Sequence, residues 1–592
     1  MRADTVTSVA QRWNSLAGGR AQGPRFMELA DAVREAVRDG DTLYFGGSMA
    51  RPNAAMFEIV RAFWGRSPGF TLVAPAVANQ HAPMVAGGLV NRVISSIQAM
   101  TYPTPAPHPV YVQAAREHSV VFENWSLLTL SQRLMAAAMG LPFLPTRSLA
   151  GSDMATALAT ETGDTAEVAS PFDGTPTQVV APLAPDVTFV HGLAADEDGN
   201  ILICPPLYDG IWAAFCATRT VVVTVDHVIS NEAMRRHADH VRIPAHAVGI
   251  VCHVPLGGHP NSLPSAAVPE LAGYPDDYAF LVDLRNAGKS KETLLAWTRE
   301  WILDCKDHNA YLTKLGSERI HALRGRALAD GWRFEPCALE PTPSHPANEA
   351  ETHVCLAARV IRRRLERGLT SAMLAGLGIS SLAAWMASIQ RGQDGVHLPL
   401  MVESGMYGYL PSPGDPFLFN YRNMAGSAML SDTLLTLGLL TAGSSNRALG
   451  VLGAAQVDAA GNLNTSQLPK MLLTGSGGAN DIGSGAADVL VTIAHSPERL
   501  VRQVDFITTP GRAVKAVVTP LAVFEREQAD QTFTLTAVIS RDGLSLNTLI
   551  EQALARCAWE VCAAPTVLLE PSPTPDELAL ARQLDPNGLF LG

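Results

Sequence analysis

Two stretches far apart in this 592-residue chain share one order of elements, and that repetition limits the fold more than any other feature. In the first, a short strand candidate at 41–45 ends in Gly46-Gly47, a helix-like run covers 53–63, and an apolar strand covers 70–74. In the second, a strand at 371–375 leads into Gly376-Leu-Gly378, a helix-like run covers 381–389, and a strand covers 398–402. Strand, glycine turn, helix, strand is the unit of a parallel sheet, because parallel strands need a crossover that a helix supplies.

The correspondence extends further along the chain. An apolar strand followed by an Asp-Glu-Asp-Gly-Asn turn occupies 191–200, and a similar strand with an Asp-Ala-Ala-Gly-Asn turn occupies 452–462. Such turns are common singly, but matching places in two segments point to duplication. Between the segments, 339–348 carries three prolines in six residues, which neither a helix nor a central strand accommodates. The expected architecture is therefore α/β, with two related, open, mostly parallel-sheet domains at 26–338 and 350–592 joined by a proline-rich linker at 339–349.

Composition removes several function classes. Hydrophobic residues are 47% and charged residues 17%, as in a compact globular chain. A net charge of -12 opposes nucleic-acid binding, which needs concentrated basic surface. The basic run Arg362-Arg363-Arg364 reads as a solvated helix face. No apolar run reaches membrane-spanning length and the first residues lack a signal-peptide core, so no membrane partner and a cytoplasmic location are expected. The eight cysteines form no Cys-x-x-Cys pair, so no metal site is expected and the thiols read as reduced. Gly376-Leu-Gly378 lacks the third glycine of a dinucleotide fingerprint, since 381 is Ser, and 475–478 lacks the Gly-Lys-Ser/Thr ending of a phosphate loop.

One carboxylate stands out. Glu403 follows the strand at 398–402, at the edge where open α/β sheets bind ligands. The corresponding strand of the first segment runs into Pro75-Ala-Val-Ala-Asn79 and meets no carboxylate until Glu117. A single site at the junction of two related halves would have this asymmetry. Such a carboxylate can attack a thioester when water is excluded and the oxyanion is stabilised, for which glycine-rich turns offer backbone N–H groups.

These residues resemble a known family. The first half is similar to A-type subunits of glutaconate CoA-transferases, through Gly46-Gly47, the 140–148 and 151–153 segments, and 254–260. The second half is similar to B-type subunits, through Gly376 and Gly378, Glu403-Ser-Gly405, 453–464, 475–481 and His495. The resemblance implies a CoA transferase with both subunit types fused. Glu403 would pass through an acyl-glutamyl anhydride and a glutamyl-CoA thioester in a ping-pong cycle. It also implies oxyanion or CoA contacts from Gly376, Gly378, Gly453, Ala454, Gly477 and Gly478, and a substrate pocket at Gly46, Gly47 and Ser48. Acyl-CoA and a small carboxylic acid would be the substrates, no cofactor would be permanently bound, and a homodimer is expected.

Some relatives hydrolyse or decarboxylate CoA esters instead, and Glu123 lies where an A-type catalytic glutamate would sit; its plain alternative is a helix-entry carboxylate. A non-catalytic acyl-CoA-binding protein is the reading from another class. His259 and His495 read as structural. Apolar loops near Glu403 allow a hydrophobic acid, whereas Arg51, Tyr407 and Tyr409 leave a dicarboxylate equally open.

Overall fold

The protein is described by a computed structural model covering residues 23–328 and 345–592, apart from 369, 412, 445–446, 470 and 542. Of the expected linker, 339–344 lie outside the described residues; from 345 the chain runs directly into the helix Glu349–Glu366.

The first sheet carries eight parallel strands: β1 (Arg25–Phe26), β2 (Thr42–Phe45), β3 (Phe70–Val73), β4 (Val90–Ser95), β5 (Val121–Asn124), β6 (Val187–Asp196), β7 (Thr220–Ile229) and β8 (Ile250–His253). They lie in the order β1-β8-β7-β6-β2-β3-β4-β5. All ten residues of β6 are buried, as expected of a strand covered on both faces. The second sheet contains β9 (Ala372–Ala375), β10 (Leu400–Val402), β11 (Met406–Tyr409), β12 (Met429–Leu430), β13 (Ala448–Gly453), β14 (Asp488–Thr492), β15 (Val514–Val518), β16 (Ala522–Glu525), β17 (Thr534–Ile539) and β18 (Cys562–Glu570). Its order is β12-β11-β10-β9-β13-β14-β15-β16-β17-β18.

Five strands correspond between the sheets. The run β8-β7-β6-β2-β3 in the first has the same order, and the same parallel pairing, as β15-β14-β13-β9-β10 in the second. The repeated turns agree in atomic detail as well. Asp196 accepts from the Asn200 N–H at 2.7 Å and its side-chain amide at 2.8 Å; Asp458 does the same for Asn462 at 2.9 and 3.1 Å. The glycine inside each turn is left-handed, Gly199 at φ 88° and Gly461 at φ 82°.

Side chains alternate across the second sheet. Met373, Ala375, Leu449 and Val451 enter a core with the helices α3 (Glu349–Glu366) and α4 (Ile379–Gln393), while Ala372, Leu374, Ala448 and Leu452 enter another on the opposite face. The second of these cores also takes in Leu127, Leu128 and Tyr208 from the first half. The halves thus share apolar burial, which is worth ~25 cal/mol per Å².

Main-chain bonds join the halves too. Gln98 N–H donates to Thr474 O at 3.1 Å, Gly477 N–H to Ser96 O at 2.9 Å, Leu207 N–H to Ser431 O at 2.7 Å and Thr433 N–H to Tyr208 O at 2.8 Å. Among the described residues, no helix is long and apolar enough to cross a membrane.

Candidate active site

The C-terminal ends of the second sheet's strands open onto a cavity of about 650 Å³ at the junction of the halves, a size suited to a small-molecule site. The second half contributes Gly376, Glu403, Gly453, Ala454, Gly477 and Gly478 to its wall; the first contributes Met49, Arg51, Asn79, Gln80 and Tyr208.

Glu403 is held by a tight turn. β10 pairs with β9 in parallel, then reverses immediately into β11, with Val402 opposite Met406. Gly405 closes that reversal at φ 108°, its N–H donating to Val402 O at 3.0 Å, and a Cβ there would overlap Ser431 O. The Thr433 and Thr436 hydroxyls donate to the Glu403 carbonyl at 2.7 and 3.1 Å. Both donors come from the segment that approaches β11, so the backbone of the acid is fixed from two directions. The residue as a whole is half-buried, because it borders the cavity.

Burial pushes the Glu403 carboxyl up to about 7, the nearby Asp481 charge adds to the rise, and the Gly478 N–H opposes it. A Cβ at Gly478 would overlap Glu403 Oε2, so a larger residue there would push the carboxyl out of its present position. Asp481 lies in α5 (Ala479–Gly485) and its Oδ2 accepts from the Leu128 N–H at 3.0 Å. That bond caps the first turn of α2 (Leu127–Met139), where the helix dipole favours an anion. Burial nevertheless pushes Asp481 up to about 6, with the Ser126 hydroxyl and the Leu128 N–H opposing. The two carboxyls thus lie near one another within the second half, and the Asp481 charge disfavours ionisation of Glu403.

The residues expected from sequence fall into two groups. Glu403, Gly376, Gly453, Ala454, Gly477 and Gly478 come together around the cavity. Gly378 does not line it; at φ 102° it is the N-cap of α4. Gly46, Gly47 and Ser48 are also outside its wall. The Gly47 N–H donates to Asp209 Oδ1 at 3.2 Å, and the Ser48 hydroxyl turns back on Ala50, so the chain reaches the cavity only at Met49 and Arg51.

Glu123 is buried on β5 and ion-paired to Arg92 at 2.9 Å, with the Trp125 indole N–H 3.4 Å away. It is not in the cavity wall. Burial raises its carboxyl, and the Arg133 and Arg92 charges oppose that. Tyr407 and Tyr409 also stay out of the wall, Tyr409 accepting from the buried Trp385 at 2.9 Å. His259 bonds Tyr311 and Asp277, and His495 bonds Thr519 and Ala553, all away from the cavity.

Sequence reasoning did not single out Asp481, Tyr208, Asn79 or Gln80. Asp481 alone carried a signal, as the last residue of the 475–481 motif. Tyr208 reaches the site at φ 51°, a backbone state that local sequence does not announce.

The coenzyme A transferase family model matches residues 26–253 and 421–550, more than half of the chain, and Glu403 lies between the matched segments. The A-type polypeptide of glutaconate CoA-transferase from Acidaminococcus fermentans is 29% identical over 320 residues, covering 51% of this chain and 94% of that polypeptide. The B-type polypeptide of 3-oxoadipate CoA-transferase from Pseudomonas knackmussii is 30% identical over 248 residues, covering 38% of this chain and 89% of that polypeptide. Among solved structures, an acyl-CoA transferase from Escherichia coli O157:H7 has the same fold, at TM-score 0.61 and 15% identity, covering 93% of this chain and 95% of that one. A-type polypeptides match the N-terminal half and B-type polypeptides the C-terminal half, so this chain belongs to the coenzyme A transferase family and is a CoA-transferase with both types fused in one polypeptide.

Proposed function

We propose that the enzyme moves CoA between carboxylic acids in a ping-pong cycle on Glu403. The Glu403 carboxylate attacks the thioester carbonyl carbon of an acyl-CoA; the C–S bond breaks and CoA leaves as its thiolate. The thiolate then attacks the Glu403 carboxyl carbon of the mixed anhydride, the first acid departs as its carboxylate, and a glutamyl-CoA thioester remains. A second carboxylate runs both steps in reverse. No electrons or protons are gained or lost overall, so the cycle calls for no permanently bound cofactor.

The observation that carries this reading is the state of Glu403, a desolvated carboxyl raised to about 7 at a cavity wall. An ionised carboxylate in that setting is poorly solvated, and acylation removes its charge, which favours attack. Ala454 is a suitable oxyanion donor, because its backbone N–H has no partner among the described residues, whereas the Gly376 N–H is committed to Val451 O and the Gly477 N–H to Ser96 O. In this reading 26–338 acts as the A-type domain, 350–592 as the B-type domain, and the fused chain works as a cytoplasmic homodimer on free acyl-CoA and a small acid.

The test is isotope exchange. With glutaryl-CoA and radiolabelled glutarate as the only substrates, label should enter the CoA ester, and Glu403→Ala should lower that exchange by roughly a thousandfold or more. Release of free CoA without exchange, retained in Glu403→Ala, would contradict the reading.

A further inference from the structure

The cavity that Glu403 borders also holds a cation with nothing to bind. Arg51 borders the cavity, yet among the described residues its guanidinium makes no ion pair and no hydrogen bond. The acids near enough to feel its charge are already engaged. Asp209 accepts from the Tyr44 hydroxyl at 2.5 Å and the Gly47 N–H at 3.2 Å, and Asp276 accepts from the Ser262 N–H at 3.2 Å and Asn261 at 3.4 Å. The Tyr208 phenol feels both Arg51 and Glu403, so the two charges flank one space.

A buried donor on the same cavity wall is unsatisfied as well. Gln80 is 1% exposed, borders the cavity, and its Nε2 has no partner. Buried polar atoms without partners are costly in a resting protein, and they become assets when a ligand supplies the missing bonds. A planar guanidinium with an adjacent amide N–H group matches a carboxylate. The cavity wall also carries Ile97, Met100 and Phe417, apolar surface that suits a short methylene chain.

We propose that Arg51, with Gln80, is the subsite for a second carboxylate on the acyl group, so that the preferred acids are dicarboxylic. One carboxyl would react at Glu403 while the other is held at Arg51. Asp276 also borders this space and would repel a dianion if Arg51 were absent. The inference rests on Glu403 being the acylated residue, and the test separates the two ideas.

The experiment compares glutaryl-CoA with valeryl-CoA, equal in chain length and differing in the terminal group, as donors for the glutamyl-CoA adduct. Wild type should favour glutaryl-CoA by about a hundredfold or more in kcat/KM. Arg51→Met should cut the ratio at least thirtyfold, and Gln80→Leu should cut it by a smaller factor. Because the readout is a ratio on one preparation, partial misfolding of a variant does not alter it. A wild-type preference for valeryl-CoA, or a ratio unmoved by Arg51→Met, would overturn the subsite. If no donor gives an adduct, the Glu403 chemistry falls instead. Calorimetric binding of free glutarate that is lost in Arg51→Met would still uphold the subsite, and absence of such binding would overturn it too.

Discussion

The two halves place related strands around related edges, yet one edge is filled and the other is open. Register makes the comparison residue by residue. Phe189 pairs with Phe45 in the first half as Val451 pairs with Ala375 in the second, so His191 stands where Gly453 stands. Tyr44 pairs with Val73 as Leu374 pairs with Met401, so Pro75 stands where Glu403 stands. In the first half, His191 bonds Thr224 at 2.8 Å and Asp226 at 3.0 Å, and Asp226 pairs with Arg324 at 2.6 Å, a buried polar network that occupies the strand ends. In the second half the places of His191 and Asp226 carry Gly453 and Ala494, and Gly453 lines the cavity. The open edge owes as much to the side chains it lacks as to the carboxylate it has.

Restoring what the first half carries should therefore be the most damaging change. Gly453→His places an imidazole in the cavity wall, and CoA transfer is expected to fall by roughly a thousandfold with the far-UV circular dichroism unchanged. Gly478→Ala, whose Cβ would displace the Glu403 carboxyl, should lower kcat/KM about a hundredfold in the same assay.

The coupled carboxyls sharpen the comparison through pH. Attack needs ionised Glu403, which burial and Asp481 raise to about 7, so the rate should fall as pH drops below about 7. Asp481→Asn keeps an acceptor for the α2 cap but removes the charge. Its acid limb should move to lower pH, with activity at pH 5.5 rising up to about tenfold relative to that at pH 8.

Stability should respond with the sign set by linkage. A carboxyl whose folded value is raised contributes stability present below its unfolded value of 4.5, and that contribution is lost as pH rises through about 7. Glu403→Gln should then raise Tm at pH 8 by roughly 1–3 °C and leave it unchanged at pH 4.5, by differential scanning fluorimetry. The smallest effect is on the shared turns. Asp196→Ala and Asp458→Ala should each cost about 1–2 kcal/mol in urea unfolding, and a large inequality between them would weaken the correspondence.

The scaffold was readable in the chain because it is built from local patterns. The strand–glycine–helix–strand repeat, the two aspartate turns and the placement of Glu403 at a strand end depend on residues close in sequence. The rest of the site depends on long-range approach. Asp481 near Glu403 accepts from Leu128 at the first turn of α2 in the other half. Tyr208 arrives through main-chain bonds to Ser404 and Thr433. The expectation at Gly46–Ser48 fell short of the cavity because Asp209, far along the chain, holds the Gly47 N–H. The isolation of Arg51 was equally invisible, since its charge could have been matched by either neighbouring aspartate.

The central claim is that Glu403 becomes covalently modified, and peptide mass spectrometry tests it most directly. After incubation with glutaryl-CoA at pH 8, the peptide containing Glu403 should carry CoA as a thioester, lose it on borohydride reduction to leave an alcohol at that residue, and remain unmodified in Glu403→Gln. An adduct on another residue, or turnover of the CoA ester with Glu403 never modified, would contradict the account.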